Sequence, residues 1–147
     1  MRVVSRSSYL VLAILVATTN GAHARARVAP PRCMRLSTVE RIRISHAVFT
    51  GRVLEIQESE GIQEVKFKLS KSWKYVRTKE VAVTNYIHHE GPYFKRGNSY
   101  LVFASLQNGS LVTGGCSGTI EVEKVSYEID ELDKWQQRNK SRRGSKR

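Results

Sequence analysis

Only two of the 147 residues are cysteine, Cys33 and Cys116, and none of the spacings that hold zinc is present. Acidic residues are also scarce, 13 against 25 lysines and arginines, which gives a formal net charge of +12. After residue 24 no segment approaches the ~20 consecutive apolar residues that a membrane-spanning helix needs. The Gly-x-Ser-x-Gly elbow, the phosphate-binding glycine loop and the dinucleotide glycine pattern are all missing. Ser117 stands between Cys116 and Gly118 but has no identifiable base or orienting partner, so turn chemistry accounts for it. These absences predict a chain that is not an enzyme and holds no cofactor or metal. No internal repeat is found.

What the chain does have is organised around Tyr100 to Thr119, YLVFASLQNGSLVTGGCSGT. Tyr100–Ser105 and Leu111–Thr113 read as strands, and Asn108-Gly109 between them tolerates the positive φ angles of a tight hairpin turn. Cys116 follows the second strand. Its sole possible partner is Cys33, so the end of the hairpin is expected to be tied to the start of the folded chain.

The first 24 residues carry Arg2 and Arg6, an apolar run from Tyr9 to Ala17, and Ala22-His23-Ala24. That order is expected of a secretory signal peptide, which predicts a secreted or periplasmic, oxidising location and a bridged cysteine pair. Removing the leader leaves a charge of +10, and the six cations from Arg138 to Arg147 reduce the folded body to about +4. Residues 25–32 (RARVAPPR) lack periodicity and should form an exposed arm. Ser37 and Glu40 have capping-box spacing, so a helix is expected from about Thr38 to His46, with Leu36, Val39 and Ile42 inward and His46 at its C-terminal end.

Ala47–Gln57 reads as a strand bent at Gly51. Ile62–Trp73 alternates Val65, Phe67 and Leu69 with Lys66, Lys68 and Ser70, as a half-buried strand does. Val81 and Val83 mark a third strand, the hairpin supplies the fourth and fifth, and Ile120 with Val122 a short extension. Tyr127–Gln137 carries Ile129, Leu132 and Trp135 at helical spacing, with acids early and bases late. The remainder, 138–147, is expected to be a disordered basic tail. The organisation is therefore a leader (1–24), an arm (25–32), one domain (33–137) and a tail (138–147). The fold class is mainly β, a five-stranded OB-type closed barrel with two peripheral helices.

VFTGRV at 48–53, FKLSKSWK at 67–74, GPYFKRGNSYLVFA at 91–104 and LVTGGCSGT at 111–119 together resemble the netrin-like domain of tissue inhibitors of metalloproteinases. The resemblance covers roughly Cys33 to Leu132 and implies an OB barrel with two flanking helices. It also implies that Cys33 pairs with Cys116. The family's other bridge is missing at both ends, where this chain has Pro31 and Glu90. In the inhibitors the first cysteine is the mature N-terminus and binds the protease zinc. Here residues 25–32 would precede Cys33.

Two functions follow as expectations. The resemblance implies a secreted protein-binding module, specifically a metalloprotease inhibitor, with Met34, Arg35, Ser117, Gly118 and Thr119 as the contact edge. The alternative is an extracellular polyanion-binding OB protein. Its cations would be Arg138, Lys140, Arg142, Arg143, Lys146 and Arg147, joined by Lys66, Lys68, Lys71, Lys74, Arg77 and Lys79 around Trp73 and Tyr75. His88-His89-Glu90 is the one cluster of metal-ligand types, and adjacent extended residues face opposite ways, so a loop is expected there. Asn108-Gly109-Ser110 and Asn139-Lys140-Ser141 match the glycosylation acceptor pattern.

Overall fold

A computed structural model of the chain describes residues 33–87 and 92–144. The leader, the whole of the arm and His88-His89-Glu90 lie outside the described residues.

The capping box forms as its spacing predicts. The Glu40 N–H donates to Ser37 Oγ at 3.3 Å, and the Ser37 N–H donates back to the Glu40 carboxylate at 2.8 Å. The Ser37 hydroxyl also donates to the Glu40 carboxylate at 2.7 Å, and this bond above all, with that from the Ser37 N–H, holds the Glu40 carboxyl below the usual carboxylate range. Helix α1 (Thr38–Ile44) buries Ile42 completely but stops before His46. The reason lies thirty residues away. Lys74 Nζ donates to the carbonyls of Ile42 (2.9 Å), Arg43 (3.1 Å) and Ser45, ending the helix by satisfying carbonyls that would otherwise lack partners. His46 is therefore off the helix. Its N–H donates to Ala104 at 2.8 Å and starts the sheet.

β1 (Ala47–Ser59) and β2 (Ile62–Lys74) make a long antiparallel hairpin that turns at Glu60-Gly61. β1 bends at Gly51, where the register slips between Thr50 and Gly51. A Cβ there would lie 3.1 Å from the Lys68 carbonyl and 3.2 Å from Phe67 Cβ, so any larger residue would have to push these neighbours aside by a few tenths of an ångström. The bend lets Ala47–Arg52 pair with β4 (Ser99–Gln107) on the other side. β3 (Glu80–Tyr86) pairs antiparallel with β2, and β5 (Ser110–Gly114) with β4. A short parallel contact of Thr84–Tyr86 with Val112–Gly114 then closes the ring β1-β2-β3-β5-β4-β1. One parallel seam in an otherwise antiparallel five-stranded barrel, with a bent first strand shared between both halves, is the OB topology. β6 (Ile120–Glu121) pairs with β4 as the short extension expected there, except that Val122 leaves the strand and opens a single 3-10 turn, Val122–Lys124.

Alternation along β4 explains its uninterrupted apolar sequence. Tyr100, Val102 and Ala104 point into the barrel, whereas Leu101 and Phe103 point outward under the helices, so both faces are buried. Inside, Phe49, Phe67, Phe94 and Tyr100 meet edge to face with ring centroids 5.6, 5.3 and 4.8 Å apart in succession. Each such pair adds about 0.5–1.5 kcal/mol beyond the area it buries. Phe94 reaches the core from the loop because Gln63 Oε1 accepts its N–H, while the Asn85 amide bonds Gln63 and the Pro92 carbonyl.

Outside, Ile42, Trp73, Leu101, Phe103, Val125 and Leu132 form a second core under α2 (Ser126–Gly144). This helix corrects the expectation of a disordered tail beginning at 138. Low apolar content says only that 138–144 cannot build a core of its own. Ile129, Leu132 and Trp135 already fix the helix axis, and Arg138, Lys140, Arg142 and Arg143 propagate it at little cost. Asn139 and Ser141 add side-chain bonds back to the carbonyls of Trp135 and Gln137. The folded unit thus extends to Gly144 rather than ending at 137.

Candidate ligand-binding groove

Because α2 continues past Trp135, its last turns stand opposite the β2–β3 connection, and a groove of about 1440 Å³ opens between them. Docking is set by Asp133. Trp73 Nε1 donates to its carboxylate at 2.7 Å, and Lys71 Nζ is paired with it at 2.6 Å. The Lys71 contact above all, with the indole N–H, holds the Asp133 carboxyl below the usual carboxylate range against the opposing effect of burial. Gln136 adds a bond to the Ser72 carbonyl.

The groove is one-sided in charge. Lys74, Arg77, Lys140 and Arg142 line it, and among the described residues no aspartate or glutamate does. Lys74 is committed to the end of α1, but Arg77, Lys140 and Arg142 are exposed and make no ion pair among the described residues. The floor is apolar: Val76, Val81 and Leu111 are half-buried against the barrel core, and Trp135 against the outer one. Tyr75 stands at the rim, 65% exposed, with its ring 4.2 Å from that of His46. Its φ of +69° is costly for a bulky side chain, and such strain concentrates where a side chain must be presented. Beneath it, His46 Nε2 is buried with no hydrogen-bond partner among the described residues.

The structure therefore sorts the expected cations. Lys140 and Arg142 come together with Arg77 and Tyr75 at the groove, while Arg138 is exposed elsewhere on α2. The side chain of Arg143, and Lys146 and Arg147 entirely, fall outside the description. Lys71 and Lys74 hold the fold together, Lys66 pairs with Glu80 at 2.8 Å, and Trp73 is only 6% exposed. The floor residues were not singled out from sequence. Val81 and Leu111 read as strand positions, Val76 falls in no expected element, and nothing local signals that they lie at an open barrel mouth.

The other expected edge lies at the end of the fold that the disulfide closes. Cys33 and Cys116 are bridged with Cα atoms 5.1 Å apart, which holds Met34 (76% exposed) and Arg35 at that end. Ser117 and Thr119 are turned inward. Their hydroxyls bond each other and Thr113 at 2.9–3.0 Å, and Thr119 Oγ1 accepts the Phe103 N–H at 3.1 Å. The Arg41 guanidinium lies over Gly118, where a Cβ would come within 2.7 Å of it. A disulfide of this kind persists in oxidising compartments. Among the described residues no helix is long and apolar enough to cross a membrane, and no three His, Cys, Asp or Glu side chains gather to hold a metal.

Neither a family model nor a curated protein matches the chain. Among solved structures it is similar to Schizosaccharomyces pombe Pot1pC bound to ssDNA (CGGTTACGGT), at 14% identity over 71% of this chain and 98% of that one. The TM-score is 0.36, and a likeness at that level carries nothing about ligand.

Proposed function

We propose that this chain is an exported, non-enzymatic OB-type module that binds an extracellular polyanion, whether nucleic acid, glycan or lipopolysaccharide, in the groove between the β2–β3 connection and the end of α2. One observation carries the reading: three cations without an ion pair among the described residues, Arg77, Lys140 and Arg142, converge on a groove that no carboxylate among those residues lines. Such a surface attracts anions with an affinity that falls steeply with salt. The test is binding of heparin oligosaccharide and single-stranded DNA across a salt series, with the parent and with Arg77→Glu/Lys140→Glu/Arg142→Glu. All three positions are exposed, so the fold should tolerate the changes. The variant should bind at least tenfold more weakly, with a salt slope smaller by about 2 to 3. Equal affinity and slope would move the site off the groove.

A second reading, recognition of a secreted protein such as a metalloprotease, draws on the resemblance to netrin-like domains and on the bridge that holds exposed Met34 and Arg35 at one end. Inhibition of a panel of secreted metalloproteases is its measurement. None at micromolar protein would reject it, and inhibition that survives Met34→Ala/Arg35→Ala would place the contact elsewhere.

A further inference from the structure

We infer that the ligand of this groove is an amphiphilic anion, a single acyl chain beneath a phosphorylated headgroup; this deepens, and rests on, the proposal that the groove binds anions. The lining is divided in a way that a fully hydrophilic polyanion does not match. Its cations stand at the exposed rim, whereas its floor is Val76, Val81 and Leu111, which close the barrel core on one side and leave their outer surfaces to the groove. Heparin has no aliphatic surface to lay on such a floor. A nucleic acid strand would need successive exposed rings to stack on. Trp73 is buried with its N–H held by Asp133, so among the described residues Tyr75 is the one largely exposed ring along the groove.

An acyl chain fits what remains. It would run along the aliphatic floor at the barrel mouth, a preferred place for apolar ligands, with Trp135 beside it. Its headgroup would meet Arg77, Lys140 and Arg142 at the rim. The volume of about 1440 Å³ exceeds the roughly 300–1,000 Å³ usual for small-molecule sites and has room for both chain and head.

The sequence supplies its own probe, because the only two tryptophans, Trp73 and Trp135, both line the groove. Lysophosphatidic acids of 8 to 16 carbons, each below its micellar concentration, would be titrated alongside glycerol phosphate, heparin oligosaccharide and a ten-residue oligothymidylate. A chain-brominated 16-carbon analogue reports quenching. Affinity should rise about fourfold per methylene buried and then level off as the floor is covered. The brominated chain should quench tryptophan emission. Arg77→Glu/Lys140→Glu/Arg142→Glu should weaken all chain lengths by a similar factor of ten or more. Val76→Thr/Val81→Thr should flatten the chain-length dependence while leaving the 8-carbon ligand nearly unchanged, and Leu111→Asn on the neighbouring strand tests the floor independently.

Equal affinity for glycerol phosphate and the 16-carbon lipid would overturn the inference, as would a chain-length dependence that both floor variants retain. Heparin or oligothymidylate binding without lipid binding would overturn it too, yet leave the anion-binding proposal standing. Failure of every anion to bind would remove both.

Discussion

Asp133 is the side chain on which the seating of α2, and with it one wall of the groove, depends most directly. Replacing it with alanine deprives the Trp73 N–H, on a ring only 6% exposed, of its acceptor 2.7 Å away. An unsatisfied buried donor costs about 1–3 kcal/mol. Lys71 loses its partner as well, but its side chain is 46% exposed, so screening limits that contribution to about 0.5 kcal/mol. Asp133→Ala should therefore lower stability by about 2 kcal/mol, or roughly 10 °C in Tm for a domain of this size. Asp133→Asn keeps an oxygen for the indole and loses only the charge, so it should cost about 0.5 kcal/mol. Thermal melts by circular dichroism separate the two. The carboxyl is held below its unfolded value, so its contribution is complete above about pH 4 and is lost as pH falls through the folded value. The gap between the parent and Asp133→Asn should accordingly shrink in acid. Equal melts for the alanine and asparagine variants, or an alanine melt within 2 °C of the parent, would refute this account of how α2 is held.

Two further predictions concern the frame. Cys33→Ser/Cys116→Ser opens a loop with a sequence separation of 83 and should cost about 2–5 kcal/mol in a urea melt; two alkylatable thiols in the native protein would remove the premise. Gly51→Ala drives a methyl against the Lys68 carbonyl and Phe67 Cβ, mostly backbone that cannot swing away, and should cost about 1–3 kcal/mol; an unchanged urea midpoint would mean that close approach does not hold the bend.

Much of the barrel could be read from local chemistry. Asn108-Gly109 turns the β4–β5 hairpin with φ of +48° and +82°, Gly51 bends β1, and Ser37 with Glu40 starts α1. The errors occurred where a distant residue decides a local outcome. No pattern near His46 says that α1 stops two residues earlier, because the lysine that ends it comes from β2. Composition could not show that 138–144 stays helical, since the support comes from Trp135 and the outer core. The groove was legible only as two unrelated sets of cations. Their convergence depends on α2 continuing past residue 137, and the apolar floor depends on which end of the barrel stays open.

The parallel seam between Thr84–Tyr86 and Val112–Gly114 has a bearing on how the barrel assembles and breathes. It spans three residue pairs, as few as the β4–β5 contact, but unlike that contact it joins strands that no tight turn connects, so both neighbouring hairpins must exist before it can form. Opening should begin there, with amide exchange fastest across these residues and slowest in the middle of β1. An opened seam would offer two bare strand edges, the templates from which strand exchange between molecules grows. Val81 and Leu111 belong to the two strands of this seam, and both line the groove. A molecule lying on them would therefore act as a clasp, coupling occupancy to closure of the barrel and suppressing self-association when bound.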